Sequence, residues 1–348
     1  MSDSSAPQRS LVLVTGSGRS GTSSLAGSLD KLGLHLPGPV VPPGPINPKG
    51  FFENVWVVDF HRDLLRAAMV RSSDGSPNAV ERVHRVLADG DAAGRLRDWL
   101  AQHDDHDVVV VKDNQACWFV PLWEQVTAET GRELRLLTSL RHPAEVVGSR
   151  DRAWGADRGE ADVRMRETAN VAAWLNALAV TEGAGRGLRR SFVRFEDLIG
   201  DWRTELSRVS DQLGLGLAID GDPHELDDWL DAELRTALTW DDVAVPAALR
   251  AVADEAWGAS ARLLADPADP GALAELDRCR AAYAALYADA SAISVDDKRF
   301  AKKLGARTAS AKLRARFRAR QGGDQGDPDR ASGRRRLPGR LPGRLLGR

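Results

Sequence analysis

The order of apolar runs in this chain predicts an α/β protein with a central parallel sheet and helices on both faces. Three observations carry that expectation. Four short runs of consecutive apolar residues are spaced along the first two thirds, stretches of helical periodicity separate them, and no tight-turn dipeptide joins any two directly. A continuous apolar run suits a strand buried on both sides, which is what a sheet between two helical layers requires.

The first run is Leu11-Val12-Leu13-Val14-Thr15, stopped by Gly16-Ser17-Gly18. Helical spacing follows from Thr22, with Leu25, Leu29, Leu32 and Leu34 recurring until Gly33 and Pro37 end it. Residues 37–50 hold six Pro and three Gly and must form a loop. A helix is expected from Asn54 to Val70 and another from Pro77 to Gln102. Val108 to Val111 reads as the second strand, ended by Lys112-Asp113, and Leu134 to Leu140 as the third, followed by Arg141-His142-Pro143. Residues 160–183 read as a long helix, Ser191 to Phe195 as the fourth strand, and Leu206, Val209 and Leu213 mark the next helix. Beyond residue 220 the pattern is wholly helical, with breaks at Pro246 and at Pro267 to Gly271.

At 348 residues and 43% apolar, the chain can bury a large core. Its two cysteines, Cys117 and Cys279, stand far apart with no Cys/His cluster, which argues against a disulfide scaffold and against a metal site. Residues 1–10 are polar and expected to be disordered. The run after them is too short for a secretory signal, and no stretch approaches a membrane span, so a cytoplasmic location is expected. The net charge of −2 conceals an asymmetry: residues 298–348 carry 17 Lys/Arg against three Asp. The expected organisation is therefore one domain over residues 11–297 and a basic tail over 298–348. The domain divides into a motif-bearing part, 11–215, and a helical part, 216–297.

The densest chemistry lies in Gly16-Ser17-Gly18-Arg19-Ser20-Gly21-Thr22-Ser23, between the first strand and the first helix. Glycines let consecutive N–H groups face one anion at a helix start, and Arg19, Ser20, Thr22 and Ser23 add a charge and hydroxyls. The nucleotide-kinase spacing GxxxxGK[ST] is met by Gly16 and Gly21, but Thr22 stands where the lysine belongs. The dinucleotide pattern GxGxxG also matches, yet it lacks an acidic residue ending a second strand some 20 residues on. These features extend the expectation to a three-layer, P-loop-like fold.

Gly18-Arg19-Ser20-Gly21-Thr22-Ser23-Ser24-Leu25 resembles the 5′-phosphosulfate loop of sulfotransferases that use 3′-phosphoadenosine 5′-phosphosulfate (PAPS). Arg141, with Ser149 eight residues on, resembles that family's 3′-phosphate site. The segments Asn47 to Asn54, Lys112-Asp113 and Val193 to Leu198 look like bacterial members acting on carbohydrates or secondary metabolites. The likeness spans about residues 11 to 215. Two departures stand out: Asn114-Gln115 replaces a Pro-Arg pair, and Phe195 replaces a common Tyr.

The resemblance implies a PAPS co-substrate, no metal, and in-line transfer of a sulfuryl group to a hydroxyl of a carbohydrate, glycolipid or small natural product. It implies that Gly18, Arg19, Ser20, Gly21, Thr22, Ser23, Arg141 and Ser149 hold the nucleotide, with Arg19 at the leaving oxygen. Lys112, ending the second strand, is expected to reach the sulfonate or the acceptor. Glu53 is the candidate base, against the alternative of a helix-start carboxylate that complements the dipole. His61 and Asp113 are the other candidates, with His61 expected to pack on its helix and His142 to be structural. Trp56, Trp118, Trp123 and Trp174 are expected in the core or cleft walls, and Trp154 near an acceptor pocket.

Two other readings compete: a P-loop nucleotide kinase, and a non-catalytic binding protein on a degenerate fold of this kind. In the tail, Phe300, Leu304, Leu313 and Phe317 form a loose apolar stripe among basic residues. Such a segment suits solvent, an anionic membrane surface or non-specific nucleic-acid contact, and no aromatic pattern favours a specific nucleic acid.

Overall fold

The computed structural model describes residues 9–154, 159–219, 225–230 and 237–321. Two compact units divide the chain, Met1–Asp289 and Ala290–Arg348. The first contains a four-stranded sheet, all parallel, in the order β2-β1-β3-β4. Its strands are β1 (Ser10–Gly16), β2 (Val108–Lys112), β3 (Glu133–Leu140) and β4 (Arg189–Arg194).

Alternation along β1 shows why its residues are all apolar. Leu11 and Leu13 enter one cluster with Val109, Val111, Leu134 and Leu136. Val12 and Val14 enter another, on the opposite face, with Val110, Leu137 and Val193. Successive side chains point to opposite faces, so both must be covered. Helices α2 (Val55–Ala67), α4 (Ala92–Leu100) and α5 (Val120–Glu129) supply residues to the first cluster. The second is closed by α1 (Thr22–Lys31) and by α9 (Trp202–Leu213), with Leu25, Leu29, Leu206 and Val209 buried there. A third cluster joins α6 (Pro143–Trp154), α7 (Glu160–Ala184), α11 (Ala247–Ala265) and the start of α12 (Pro270–Gln321). The three-layer α/β arrangement with a parallel central sheet is thus present.

Several boundaries differ from the sequence reading. Residues 1–10 were expected to be disordered, but Ser10 already pairs with Val108 and Glu133, because β1 lies between β2 and β3 and its register with both begins there. Residues 1–8 lie outside the described ones, as do 322–348. The helix expected from Pro77 to Gln102 is two, α3 (Ala79–Ala88) and α4, parted at Asp89-Gly90-Asp91, where glycine and aspartate favour a turn. Phe195 was expected to end the fourth strand; instead it opens the short helix α8 (Phe195–Gly200). The region past residue 220 is not wholly helical among the described residues. α10 (Glu225–Trp229) is one turn, and residues 237–246 hold a three-residue 3-10 turn between extended stretches. Pro246 precedes α11, as expected, while Pro270 opens α12, because a helix's first turn needs no proline N–H.

Parallel strands send their C-terminal ends to one edge. From β1 the chain crosses to β2 on one side, whereas β3 leads to β4 on the other, so the crevice between β1 and β3 is the topological switch point. Ligands of open α/β sheets sit outside such a point. Gly16 is paired with Ser139 there, and the glycine loop and Arg141 leave the sheet on its two sides.

Candidate functional site

The glycine loop has a conformation that its residue types permit and few others would. Gly16 has φ +151°, and a Cβ there would lie 2.5 Å from the Ser139 carbonyl oxygen. Gly21, at φ +90°, caps α1, and its Cβ would come within 2.2 Å of the Phe195 ring. Arg19 takes the left-handed region as well, at φ 76°. The Ser20 N–H closes the turn on the Ser17 carbonyl at 3.0 Å. No acidic side chain occupies the first turn of α1, so its N–H groups and the positive dipole end meet no competing carboxylate from that turn.

Arg19 donates from Nε to Ser149 Oγ at 3.0 Å. Arg141 donates from Nε to Glu145 at 2.9 Å and from Nη1 to the Arg19 carbonyl at 3.4 Å. Its guanidinium stacks on Phe195, 4.6 Å from the ring centroid, so the phenylalanine at this position keeps a face contact without a hydroxyl. Arg141 Nη2 is buried without a hydrogen-bond partner among the described residues. Burial, and then the positive charges of Arg141 and Arg152, push the Arg19 guanidinium below its ordinary pKa.

Opposite the loop, Lys112 at the end of β2 is almost wholly buried, at 2% exposure. It donates to Glu53 Oε1 at 2.5 Å and to Ser23 Oγ at 3.3 Å. Glu53 does not cap α2; Asn54 does, its side chain accepting from the Val57 N–H at 3.1 Å. That frees Glu53 to face the lysine. Burial pushes its carboxyl above the ordinary glutamate range, against the pull of Lys112 and with help from the Asp113 charge. Asn114, which replaces the expected proline, accepts from Thr22 Oγ1 at 2.8 Å and ties the two sides of the crevice together.

A cleft of about 770 Å³ is lined by Gly18, Arg19, Gly21, Thr22, Ser23, Glu53, Lys112, Arg141 and Ser149. All the site residues expected from the sequence meet there except Ser20. Its carbonyl accepts from Ser139 Oγ at 2.7 Å, and its own buried Oγ has no partner, so it packs beneath the loop. A second cavity, of about 440 Å³, shares Gly18, Arg19, Glu53 and Asn114 with the first. Arg19 and Glu53 therefore stand on the wall common to both.

His61 is fully buried. Trp123 Nε1–H donates to its Nε2 at 3.1 Å, so Nδ1 carries the proton and donates to Asp113 Oδ2 at 2.7 Å. With both nitrogens engaged, it holds Asp113 and has no lone pair for a substrate. Asp113 also accepts from the Gln115 N–H at 2.9 Å. His142 accepts from the Ala144 N–H and packs edge-on to Trp240 and Trp257. Trp118, Trp123 and Trp174 are core residues, with Trp56 stacked on Phe60; the Trp154 side chain lies outside the described residues.

Sequence reasoning missed several contributors. Trp229 of α10 lines the larger cleft, edge-on to Phe52, far from any motif. Arg150 and Arg62 line the smaller cavity. The signal for Arg150 was its place beside Ser149 on α6.

No family model and no curated protein matches the chain. Among solved structures, it is similar to the sulfotransferase domain of the Synechococcus PCC 7002 olefin synthase, at 19% identity and a TM-score of 0.43, over 74% of this chain and 96% of that one. It is also similar to a sulfotransferase domain from the curacin biosynthetic pathway, at 15% identity and a TM-score of 0.36, over 67% and 82% of the two chains. Both are distant likenesses.

Proposed function

We propose that this protein is a PAPS-dependent sulfotransferase that moves a sulfuryl group to a hydroxyl of a carbohydrate, glycolipid or small natural product. The observation that carries the reading is the meeting of Arg19, Lys112 and Glu53 at the mouth of the glycine loop, where the two cavities adjoin. Two cations and one carboxylate at a junction suit a displacement between a donor on one side and an acceptor on the other.

The residues fit a nucleotide bearing two phosphates. The Arg141 Nη2 atom is buried without a partner among the described residues and, with Ser149, supplies donors for one anion; the glycine loop and the open N-terminus of α1 supply donors for the other. PAPS, when bound, supplies an activated sulfuryl group. Glu53 takes the acceptor's proton as the new O–S bond forms, and Lys112 holds the carboxylate in place. Arg19 faces the oxygen that receives the electrons of the breaking S–O bond, where charge develops. The same junction accounts for transfer with no metal in the scheme.

Thermal stabilisation by 3′,5′-adenosine bisphosphate, with none from ATP and magnesium, is the expected result; the opposite pattern favours the kinase reading. That reading meets an obstacle in Thr22, whose hydroxyl is bonded to Asn114 where a kinase needs its loop lysine. Transfer of labelled sulfate from PAPS to any hydroxyl acceptor excludes the non-catalytic alternative.

A further inference from the structure

The smaller cavity has a charge that the transfer chemistry does not account for. Arg150 is 7% exposed, and among the described residues its guanidinium donates only to neutral groups: Ser17 Oγ at 3.2 Å, the Gly18 carbonyl at 3.3 Å, Ser73 Oγ at 3.2 Å and Asn170 Oδ1 at 2.9 Å. Bracing the loop explains these bonds, but not the choice of a permanent cation to make them. Among the described residues no carboxylate lies within ion-pair distance of it. Burial and the positive charge of Arg19 push its pKa down to about 10.

Two more arginines stand on the same cavity. Arg62 and Arg66 are four apart on α2, hence one turn apart on one face. Each has a carboxylate three residues back, Asp59 at 2.7 Å and Asp63 at 3.5 Å, but those pairs are solvent-exposed and hold their charges weakly. The cavity's carboxylates are Glu53 and Asp113, already engaged by Lys112 and His61. The lining also includes the apolar side chains of Leu65, Val70, Ala173 and Ala177.

We propose that this cavity receives the acceptor and that the acceptor is itself an anion: a hydroxyl compound with an apolar body, its carboxylate or phosphate held by Arg150, Arg62 and Arg66, its hydroxyl at Glu53. The proposal rests on the sulfotransferase reading, since it takes the second cavity as the acceptor side. Buried guanidinium donors recognise an oxyanion far better than a neutral amide, because only the anion cancels their charge. A volume of about 440 Å³ suits a small molecule and not a long glycan.

The test is calorimetric titration of the protein saturated with 3′,5′-adenosine bisphosphate, so that the nucleotide cleft is filled. Three probes share one phenol: 4-hydroxyphenylacetate, 4-hydroxyphenyl phosphate and the neutral 4-hydroxyphenylacetamide. At least one anion is expected to bind about tenfold or more tightly than the amide, and the stronger of the two tells carboxylate from phosphate recognition. Arg62→Gln/Arg66→Gln, both at exposed positions, should shrink that ratio severalfold and leave nucleotide affinity as it was. Arg150→Met should abolish it, and Arg150→Lys should keep part of it. If the Arg150 variants fail to fold, the rim pair decides alone. Equal binding of amide and anions, no binding of any probe, or a preference untouched by the rim double variant overturns the proposal. Absence of nucleotide binding removes the sulfotransferase reading and the acceptor role together; nucleotide binding without anion preference removes the anionic acceptor alone.

Discussion

Glu53 is pulled in two directions by its surroundings: Lys112 at 2.5 Å favours the carboxylate, while burial and Asp113 favour the protonated form, and the second influence prevails. A base must be ionised to work, so transfer should fall as pH drops through the Glu53 pKa. Because that pKa is raised, the acid limb of kcat/KM should lie above the ordinary glutamate range, and Glu53→Gln should abolish the limb. The same variant should slow transfer by at least ~10²-fold while 3′,5′-adenosine bisphosphate still binds. Activity near wild type would move the base to Asp113, because His61 is bonded at both nitrogens. Arg19 and Arg141 should separate in kinetics. On the proposed roles, Arg19→Ala should mainly lower kcat, as the loss of a group at the developing charge, and Arg141→Ala should mainly raise the PAPS KM, as the loss of a grip on a remote phosphate. Matching KM effects with kcat untouched in both would refute the role given to Arg19. The sequence alone left Glu53 open between base and a helix-start carboxylate that complements the dipole, since it stands beside Asn54 at the start of α2. The Asn54 side chain, which accepts from the Val57 N–H, shows which of the two caps α2.

The loop between β1 and α1 was legible because its chemistry is local: glycines at the turn, hydroxyls and one arginine before a helix. The strands were legible for a related reason, as burial on both faces writes itself as uninterrupted Val and Leu. What stayed hidden depends on distant packing. Phe195 reads as strand by its neighbours but begins α8, where its ring fills the space a Gly21 side chain would need and carries the Arg141 guanidinium. α5, with Pro121 in its first turn, is a helix the sequence reading did not assign, its apolar face buried in the core beside the sheet. The Gly21–Phe195 contact gives a prediction. Gly21→Ala imposes a left-handed φ on alanine and drives its methyl into the ring, at a cost of about 1–3 kcal/mol for the backbone alone. Urea denaturation should show at least that loss, and stabilisation by adenosine bisphosphate should disappear. Adding Phe195→Ala relieves the clash but leaves the φ, so the double variant should recover only part of the stability. Full recovery would mean that the ring contact, not the backbone, sets the loop.

Charge is distributed over the whole chain in a way that no single motif shows. Residues 298–348 hold 17 of the 48 basic side chains and three of the 50 acidic ones, so the part before them is strongly acidic. Helix α12 runs to Gln321, and no helix among the described residues is long and apolar enough to cross a membrane. Lys298 to Arg320 interleaves Phe300, Leu304, Leu313 and Phe317 with basic groups, and each basic residue near an anionic bilayer contributes about 1 kcal/mol before salt screens it. Co-sedimentation with phosphatidylserine-containing liposomes should accordingly retain the full-length protein at low salt and release it as ionic strength rises, since the attraction falls off within a Debye length. A truncation after Asp297 keeps every residue of both cavities, so it should stay in the supernatant and still transfer sulfate to a soluble acceptor at the full-length rate. If both forms remain in the supernatant at low salt, the tail does not bind membranes. If the truncation pellets as well, the acidic body carries the contact, against its charge, and the apolar stripe of the tail is irrelevant to it.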